Sequence, residues 1–177
     1  MDSADPPAGP GAGLTIVDLE PGDTSTVRTV FDGLSADSRY RRFQSSRPVL
    51  TAGTLRHLAT VRPPDRVTHA ALLDGRPVGL IHWIRLSGTR DAEVACEVVD
   101  AAQHRGIGKA LFRRAAQSAA DSGIESFVAH MYIGDARLIR RAGELGSVPD
   151  RSEPGRYRMP VRLAAAVGSG QGEPANS

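Results

Sequence analysis

The sequence predicts an α/β (α+β) protein built on a mixed, mostly antiparallel sheet of about six to seven strands flanked by about four to five helices. Three observations carry that prediction. Two β-rich runs are joined by Asp74-Gly75-Arg76, a tight-turn signal because Asp-Gly supplies the positive φ angles a hairpin needs. After Gly106 the apolar periodicity changes to that of a helix. No segment repeats another, so the alternating short elements read as one domain over residues 14–163.

Leu14 to Leu19 alternates as a first strand, and Pro21-Gly22-Asp23 turns the chain into a helix carrying Val27, Val30, Phe31 and Leu34 at helical spacing. Ser35-Ala36-Asp37-Ser38 caps a second helical run through Tyr40 and Phe43. Thr51 opens a third, with Leu55, Leu58 and Ala59 on one face. Val67–Leu73, Pro77–Leu86 and Glu93–Val99 then read as three consecutive antiparallel strands, the last reached through Ser87-Gly88-Thr89-Arg90. The clearest helix follows Gly106, with Ile107, Ala110, Leu111, Ala115, Ser118 and Ala119 on one side and Arg113, Arg114, Gln117 and Asp121 on the other. Ser122-Gly123 ends it. Ser126–Met131 reads as a strand, Asp135–Leu145 as a helix ended by Gly146, and Arg156–Leu163 as a closing strand. Residues 1–13 and 164–177 are small, polar and Gly/Pro-containing, and are expected to be disordered tails.

A chain of 177 residues, 40% hydrophobic and 24% charged, has the composition of a soluble globular protein with one site. With 5% aromatic residues, rings for base stacking or sugar platforms are scarce. Lys109 is the only lysine and the net charge is just +2, which is no nucleic-acid footprint. Cys96 is the only cysteine, so no intramolecular disulfide forms, and a reducing, cytoplasmic setting is expected. No apolar run approaches the roughly 18 to 20 residues that span a membrane, and Met1–Gly13 has no apolar signal core. The histidines, His57, His69, His82, His104 and His130, show no metal-ligand spacing, so no metal is expected.

Gln103-His104-Arg105-Gly106-Ile107-Gly108-Lys109-Ala110 lies between a strand and a helix, where backbone N–H groups and the helix dipole both face an anion such as a pyrophosphate. Glycine at 106 and 108 lets phosphate oxygens approach the amides and allows turn dihedrals closed to other residues. Taken alone, a Gly-x-Gly before a helix also serves simply to turn a chain. The stretch lacks the earlier glycine and the Ser/Thr of a Walker loop, and the third glycine and βαβ setting of a dinucleotide fingerprint.

Following Ala92-Glu93-Val94-Ala95-Cys96-Glu97-Val98-Val99-Asp100, the Gln103-x-x-Gly106-x-Gly108 pattern resembles the acyl-CoA-binding motif of GNAT acetyltransferases. The order of elements extends the likeness to residues 14–163, and so implies the GNAT fold. Leu34-Ser35-Ala36-Asp37-Ser38-Arg39-Tyr40-Arg41-Arg42-Phe43 and the Ala92-Glu93 strand start further resemble the catalytic domain of Pat-type bacterial protein lysine acetyltransferases. The resemblance implies an acyl-CoA-dependent N-acyltransferase, with acetyl-CoA as donor substrate and a protein lysine or small-molecule amine as acceptor. It leaves the oligomeric state open.

It also implies roles. Glu93 would be the general base, with Glu97 the alternative; ordinary readings of the two are a strand-end carboxylate near Arg85 or Arg90 and a cross-strand ion pair. Backbone groups of Cys96, Glu97 and Val98 would pair with the donor's pantetheine amides. Gln103, His104, Arg105, Gly106, Ile107, Gly108 and Lys109 would hold the phosphates, and Asp135 would stand where relatives often carry Asn. Cys96 reads as a small buried residue, with no activating neighbour that would make it a nucleophile. Ala142 occupies the position of the tyrosine that acts as acid in many relatives, and Ser147 that of an aromatic, so Tyr132 is the remaining phenol. The same departures admit an acyl-CoA-binding sensor without turnover. Arg39, Arg41, Arg42 and Arg47 favour an acidic or anionic acceptor by charge.

Overall fold

The computed structural model describes residues 13–43, 50–132, 134–144, 146–151 and 153–162. The expected tails, Gly13 excepted, lie outside the described residues, as do Arg47, Leu145 and Leu163. The strands are β1 (Leu14–Asp18), β2 (Arg66–Leu73), β3 (Arg76–Arg85), β4 (Asp91–Val98), β5 (Ser126–His130), β6 (Val148–Pro149) and β7 (Arg156–Pro160). The helices are α1 (Thr24–Asp32), α2 (Ala36–Phe43), α3 (Ala52–Leu58), α4 (Ile107–Asp121) and α5 (Ala136–Glu144). The sheet runs in the order β1-β2-β3-β4-β5-β7-β6, with only the β4–β5 pair parallel. The mixed sheet read from the sequence is thus observed, with the short β6 added along β7.

Local chemistry explains the helix starts. The Asp23 carboxylate accepts from the N–H groups of Ser25 (3.1 Å) and Thr26 (3.0 Å), and Thr51 Oγ1 from that of Thr54 (3.1 Å). Helix α2 is begun from outside: Asp100 accepts from Ser35 N–H (2.7 Å) and from the Ser35 and Ser38 hydroxyls (2.8 and 2.9 Å). No residue of α2 is buried, so these polar ties position it.

Side-chain alternation across the sheet makes two faces. On one, α4 lays Ile107, Leu111, Ala115, Ala116 and Ala119 against Ala71, Ile81, Trp83, Ala92, Val94 and Phe127. On the other, α1 and α3 cover β2 and β3 through Val27, Val30, Leu55, Ala59, Ala70 and Leu80. This second layer does not reach across to Glu93 on β4, which stays exposed.

The α4 side also buries a polar chain. His69 is fully buried, with Nδ1 2.8 Å from Asp18 Oδ1 and Nε2 2.8 Å from Ser118 Oγ; Trp83 Nε1 donates to the same hydroxyl at 3.0 Å. Burial lowers the His69 pKa, opposed by its bond to Asp18, so the ring is neutral. A carboxylate only accepts, so Nδ1 carries the proton and Nε2 accepts from Ser118. The Asp-His-Ser order is that of a hydrolase triad, but His69 is shut inside the core and serves to tie β2, β1 and α4 together.

Candidate active site

The site is set by an opening in the sheet. β4 pairs with β3 from Ala92 to Val98, yet with β5 only through Asp91↔Ser126, Ala92↔Phe127 and Glu93↔Val128. Beyond Glu93 the two strands part, leaving one edge of β4 without a strand partner. Val99 N–H donates to Val78 O (2.9 Å), so by alternation Glu97 also turns its backbone to β3, whereas Cys96 and Val98 turn theirs to the open edge. Of the three residues expected to offer backbone groups there, Cys96 and Val98 face the open edge and Glu97 does not. The Val98 carbonyl is taken by Gln103, whose Nε2 donates to it at 3.1 Å and to Ser38 Oγ at 3.4 Å. Gln103 therefore ties the loop to the strand end.

The loop leads straight into α4. Its turn is made by His104 and Gly106, with φ of 63° and 78°, the left-handed region that Gly106 enters without a Cβ penalty. Gly106 is the N-cap of α4 and its carbonyl receives Ala110 N–H at 3.1 Å. Among the described residues no backbone carbonyl accepts from the N–H groups of residues 104–109. A Cβ on Gly106 or Gly108 would meet no atom within 4 Å beyond its chain neighbours and the helix's own backbone, so both positions border open space. His104, Arg105 and Lys109 are exposed around it, while Ile107 is buried and anchors the turn in the core. From α5, Arg137 comes within 3.4 Å of His104 Nδ1, a further cation beside the loop that the sequence pattern did not single out. Free amides, a helix N-terminus and surrounding cations suit a diphosphate, and the open β4 edge suits an extended amide chain.

The two carboxylates of β4 share the face opposite α4 and differ in their partners. Glu97, with a 7% exposed side chain, holds Arg42 Nε at 2.6 Å; the partner is a helical arginine of α2, not a cross-strand one. Arg42 also places Nη2 3.3 Å from His82 Nε2. Glu93 is exposed and has no hydrogen bond or ion pair among the described residues. The arginines expected near it are engaged elsewhere: Arg85 with Asp65 at 2.8 Å and Arg90 with Glu125. Glu93 thus stands free on the last paired rung before the opening.

The remaining candidates are occupied structurally. Asp135 is the N-cap of α5, accepting from Leu138 N–H (3.0 Å) and from Arg41 (3.2 Å). Arg39 donates to the carbonyls of Phe31 (3.2 Å) and Asp32 (3.3 Å) at the end of α1. Arg41 is also on Asp37 (2.7 Å) and Arg42 on Glu97, so their charges are matched, whereas Arg39 donates only to neutral carbonyls and keeps its charge. Cys96 points to the α4 side, and burial raises its thiol well above the usual range, with the Glu97 charge adding to the effect, so no thiolate is available there. Ala142 lies in α5, and Ser147 follows it with its N–H on the Ala142 carbonyl (3.0 Å). Tyr132 is exposed and meets Tyr40 of α2 edge-on, ring centroids 5.6 Å apart.

A helix-capped anion loop, a splayed parallel pair and a free glutamate at its vertex define an acyl-CoA-dependent N-acetyltransferase. Residues 30–146 match the family model described as the acetyltransferase (GNAT) family, and the chain belongs to that family. Among solved structures it is similar to the GNAT domain of S. lividans PAT, at 28% identity over 89% of this chain and 94% of that one, with a TM-score of 0.76. A cAMP-binding acyltransferase from Mycobacterium smegmatis, in a mutant form, shares the fold at 24% identity and a TM-score of 0.59; 89% of this chain aligns with 46% of that one. A spermidine N-acetyltransferase from Vibrio cholerae, solved with CoA and spermine, shares it at 16% identity and a TM-score of 0.66, over 85% and 97% of the two chains. The comparison with curated proteins gave no match.

Proposed function

We propose that the chain transfers the acetyl group of acetyl-CoA to a primary amine by direct attack, with Glu93 as general base. The observation that carries this reading is the position of Glu93: an unpaired carboxylate on the last β4–β5 rung, where the strand edge opens. Glu93, directly or through a water, takes the proton that the amine nitrogen sheds as it bonds to the thioester carbon. The C–S bond breaks, and the CoA thiolate leaves and is protonated by solvent, so the alanine at position 142 does not block the reaction. The backbone of Cys96 and Val98 holds the donor's amide arm, and the amides of residues 104–109, with Arg105, Lys109 and Arg137, hold its phosphates. Gln103 and Asp135 act one step back, fixing the loop to β4 and the start of α5.

The likeness of Leu34–Phe43 to Pat-type lysine acetyltransferases, together with the similarity to the GNAT domain of S. lividans PAT, supports a protein lysine as acceptor, with a small-molecule amine as the alternative. The test is thiol release from acetyl-CoA with a panel of lysine peptides and amines, for the wild type and Glu93→Gln. Loss of roughly tenfold or more on Glu93→Gln is expected, in the range of lost general-base catalysis. CoA binding without release, unaffected by that change, would instead make the protein an acyl-CoA sensor.

A further inference from the structure

Between Glu93 and Glu97 the exposed-side face of the sheet has a polar floor that the reading above does not use. The register sets Thr68 of β2 opposite His82 of β3, and His82 opposite Ala95 of β4. His82 is therefore the diagonal neighbour of Glu93, at about 7–8 Å for such pairs, within joint reach of one small acceptor. Ala95, standing between the two glutamates, is too small to wall them off.

The protonation of His82 follows from geometry. Arg42 Nη2 lies 3.3 Å from His82 Nε2, and a guanidinium can only donate, so Nε2 is the acceptor and the proton sits on Nδ1. Among the described residues Nδ1–H has no partner. Burial, and the positive charges of Arg42, Arg66 and His57 around the ring, hold the His82 pKa down to about 3, so the ring stays neutral. Beside it, Thr68 is 2% exposed and its Oγ1 has no hydrogen-bond partner among the described residues. His82 is half-buried, so its unused Nδ1–H differs from the fully buried Thr68 Oγ1: it is a donor left over at the surface of the floor, next to the free Glu93 carboxylate.

We propose that His82 is a specificity-determining residue on the acceptor side: its Nδ1–H hydrogen-bonds a neutral oxygen of the acceptor while Glu93 receives the proton from the acceptor's amine. This rests on the reading of Glu93 as base. The oxygen is neutral, an amide carbonyl or a hydroxyl, because the group that meets it, His82 Nδ1–H, is itself uncharged, the Arg42 guanidinium is matched by Glu97, and the unpaired Glu93 repels anions.

Two substitutions separate this role from a merely structural one. Asparagine places its amide nitrogen where histidine has Nδ1, and glutamine places its terminus where histidine has Nε2. Steady-state kinetics would use N-acetyl-lysine methylamide, glycinamide and ethanolamine against n-butylamine and glycine, with His82→Asn, His82→Gln and His82→Ala. The wild type should favour the amide- and hydroxyl-bearing amines. His82→Ala and His82→Gln should raise KM for these by about three- to tenfold, the worth of one neutral hydrogen bond, with kcat changed less and n-butylamine unaffected. His82→Asn should restore most of the difference. Equal use of all amines by the wild type, or rescue by Gln and not Asn, overturns the proposal.

A readout independent of turnover is nitrogen-15 NMR of histidine-labelled protein. The Nδ1–H tautomer of His82 is expected, unchanged from pH 5.5 to 8, and an Nε2–H or titrating ring overturns it even if none of these amines is a substrate. Full turnover by Glu93→Gln with the KM pattern intact would sink the assignment of the base and not that of His82.

Discussion

Arg42 of α2 and Glu97 of β4 are joined by a 2.6 Å contact from Nε to Oε2, the carboxylate being 7% exposed. Four residues earlier on the same face, Glu93 is exposed and unheld. One pair of like residues on one strand thus divides into a fastener and a free carboxylate. The fastener draws α2, which buries no residue of its own, onto β4; Asp100 holds the other end of that helix.

The division predicts opposite phenotypes. Glu93→Gln should lower kcat by roughly tenfold or more and leave the melting temperature within a degree or two, since no protein contact is lost. Glu97→Ala strands the Arg42 guanidinium and should cost about 3 kcal/mol of stability, with a smaller fall in activity. Thermal melts and thiol release on both variants check this, and a stable, inactive Glu97→Ala would reverse the two roles.

Stability should fall on mild acidification. His69 and His82 are both lowered from the ordinary 6.5, chiefly by burial, so each is neutral when folded and charged when unfolded below that pH. The unfolded chain then binds more protons, and the folded state loses up to about 1.4 kcal/mol per pH unit per histidine as the pH falls below 6.5. The contribution is intact above 6.5. Asp18 and Asp100 add nothing in this window: both are lowered from 3.8, so theirs is lost only in stronger acid. Urea midpoints at pH 7.5, 6.5 and 5.5 should decline with an unchanged m-value, and a flat series would show that the rings charge in place.

Much of this was legible in the sequence because it is local. Periodicity gave α4, Asp-Gly the β2–β3 hairpin, and the glycine spacing the loop whose amides the fold leaves open. What was not legible depends on partners far apart in the chain. Arg42 and Glu97 are 55 residues apart, Asp100 and Ser35 are 65 apart, and Arg137 and His104 are 33 apart; nothing in local spacing announces such contacts. For the same reason the arginines of α2 read as a charged face open to an acceptor until their carbonyl and carboxylate partners were in view. His82 looked like one of several scattered histidines because its tautomer is fixed by a helix 40 residues away.

The two loop glycines should separate folding from donor binding. Gly106 sits at φ 78°, so Gly106→Ala should cost about 1–2 kcal/mol of stability as well as affinity. Gly108 lies in the first turn of α4, where an added Cβ would meet no atom within 4 Å beyond its chain neighbours and the helix's own backbone. Gly108→Ala should therefore keep or raise the melting temperature, since alanine is the better helix former, while weakening CoA binding by placing a methyl group before the amides. Melting curves paired with CoA calorimetry make the test. Undiminished affinity in a stable Gly108→Ala would move the phosphates away from this loop.

Behind the sheet, Ser118 joins Trp83 and His69, and its loss should be felt in stability alone. Ser118→Ala leaves Trp83 Nε1–H without an acceptor and His69 Nε2 without a donor, both among fully buried side chains. Unsatisfied groups of this kind cost about 1–3 kcal/mol each, so the denaturant midpoint should drop clearly. The reacting face lies on the other side of β3 and β4, so kcat and both KM values should hold at temperatures where the variant is folded. Loss of turnover in folded Ser118→Ala would mean that the hydrogen-bond chain through His69 reaches the site. Cys96, whose side chain lies in the same core while its backbone borders the opening, would then be the residue to examine for the connection.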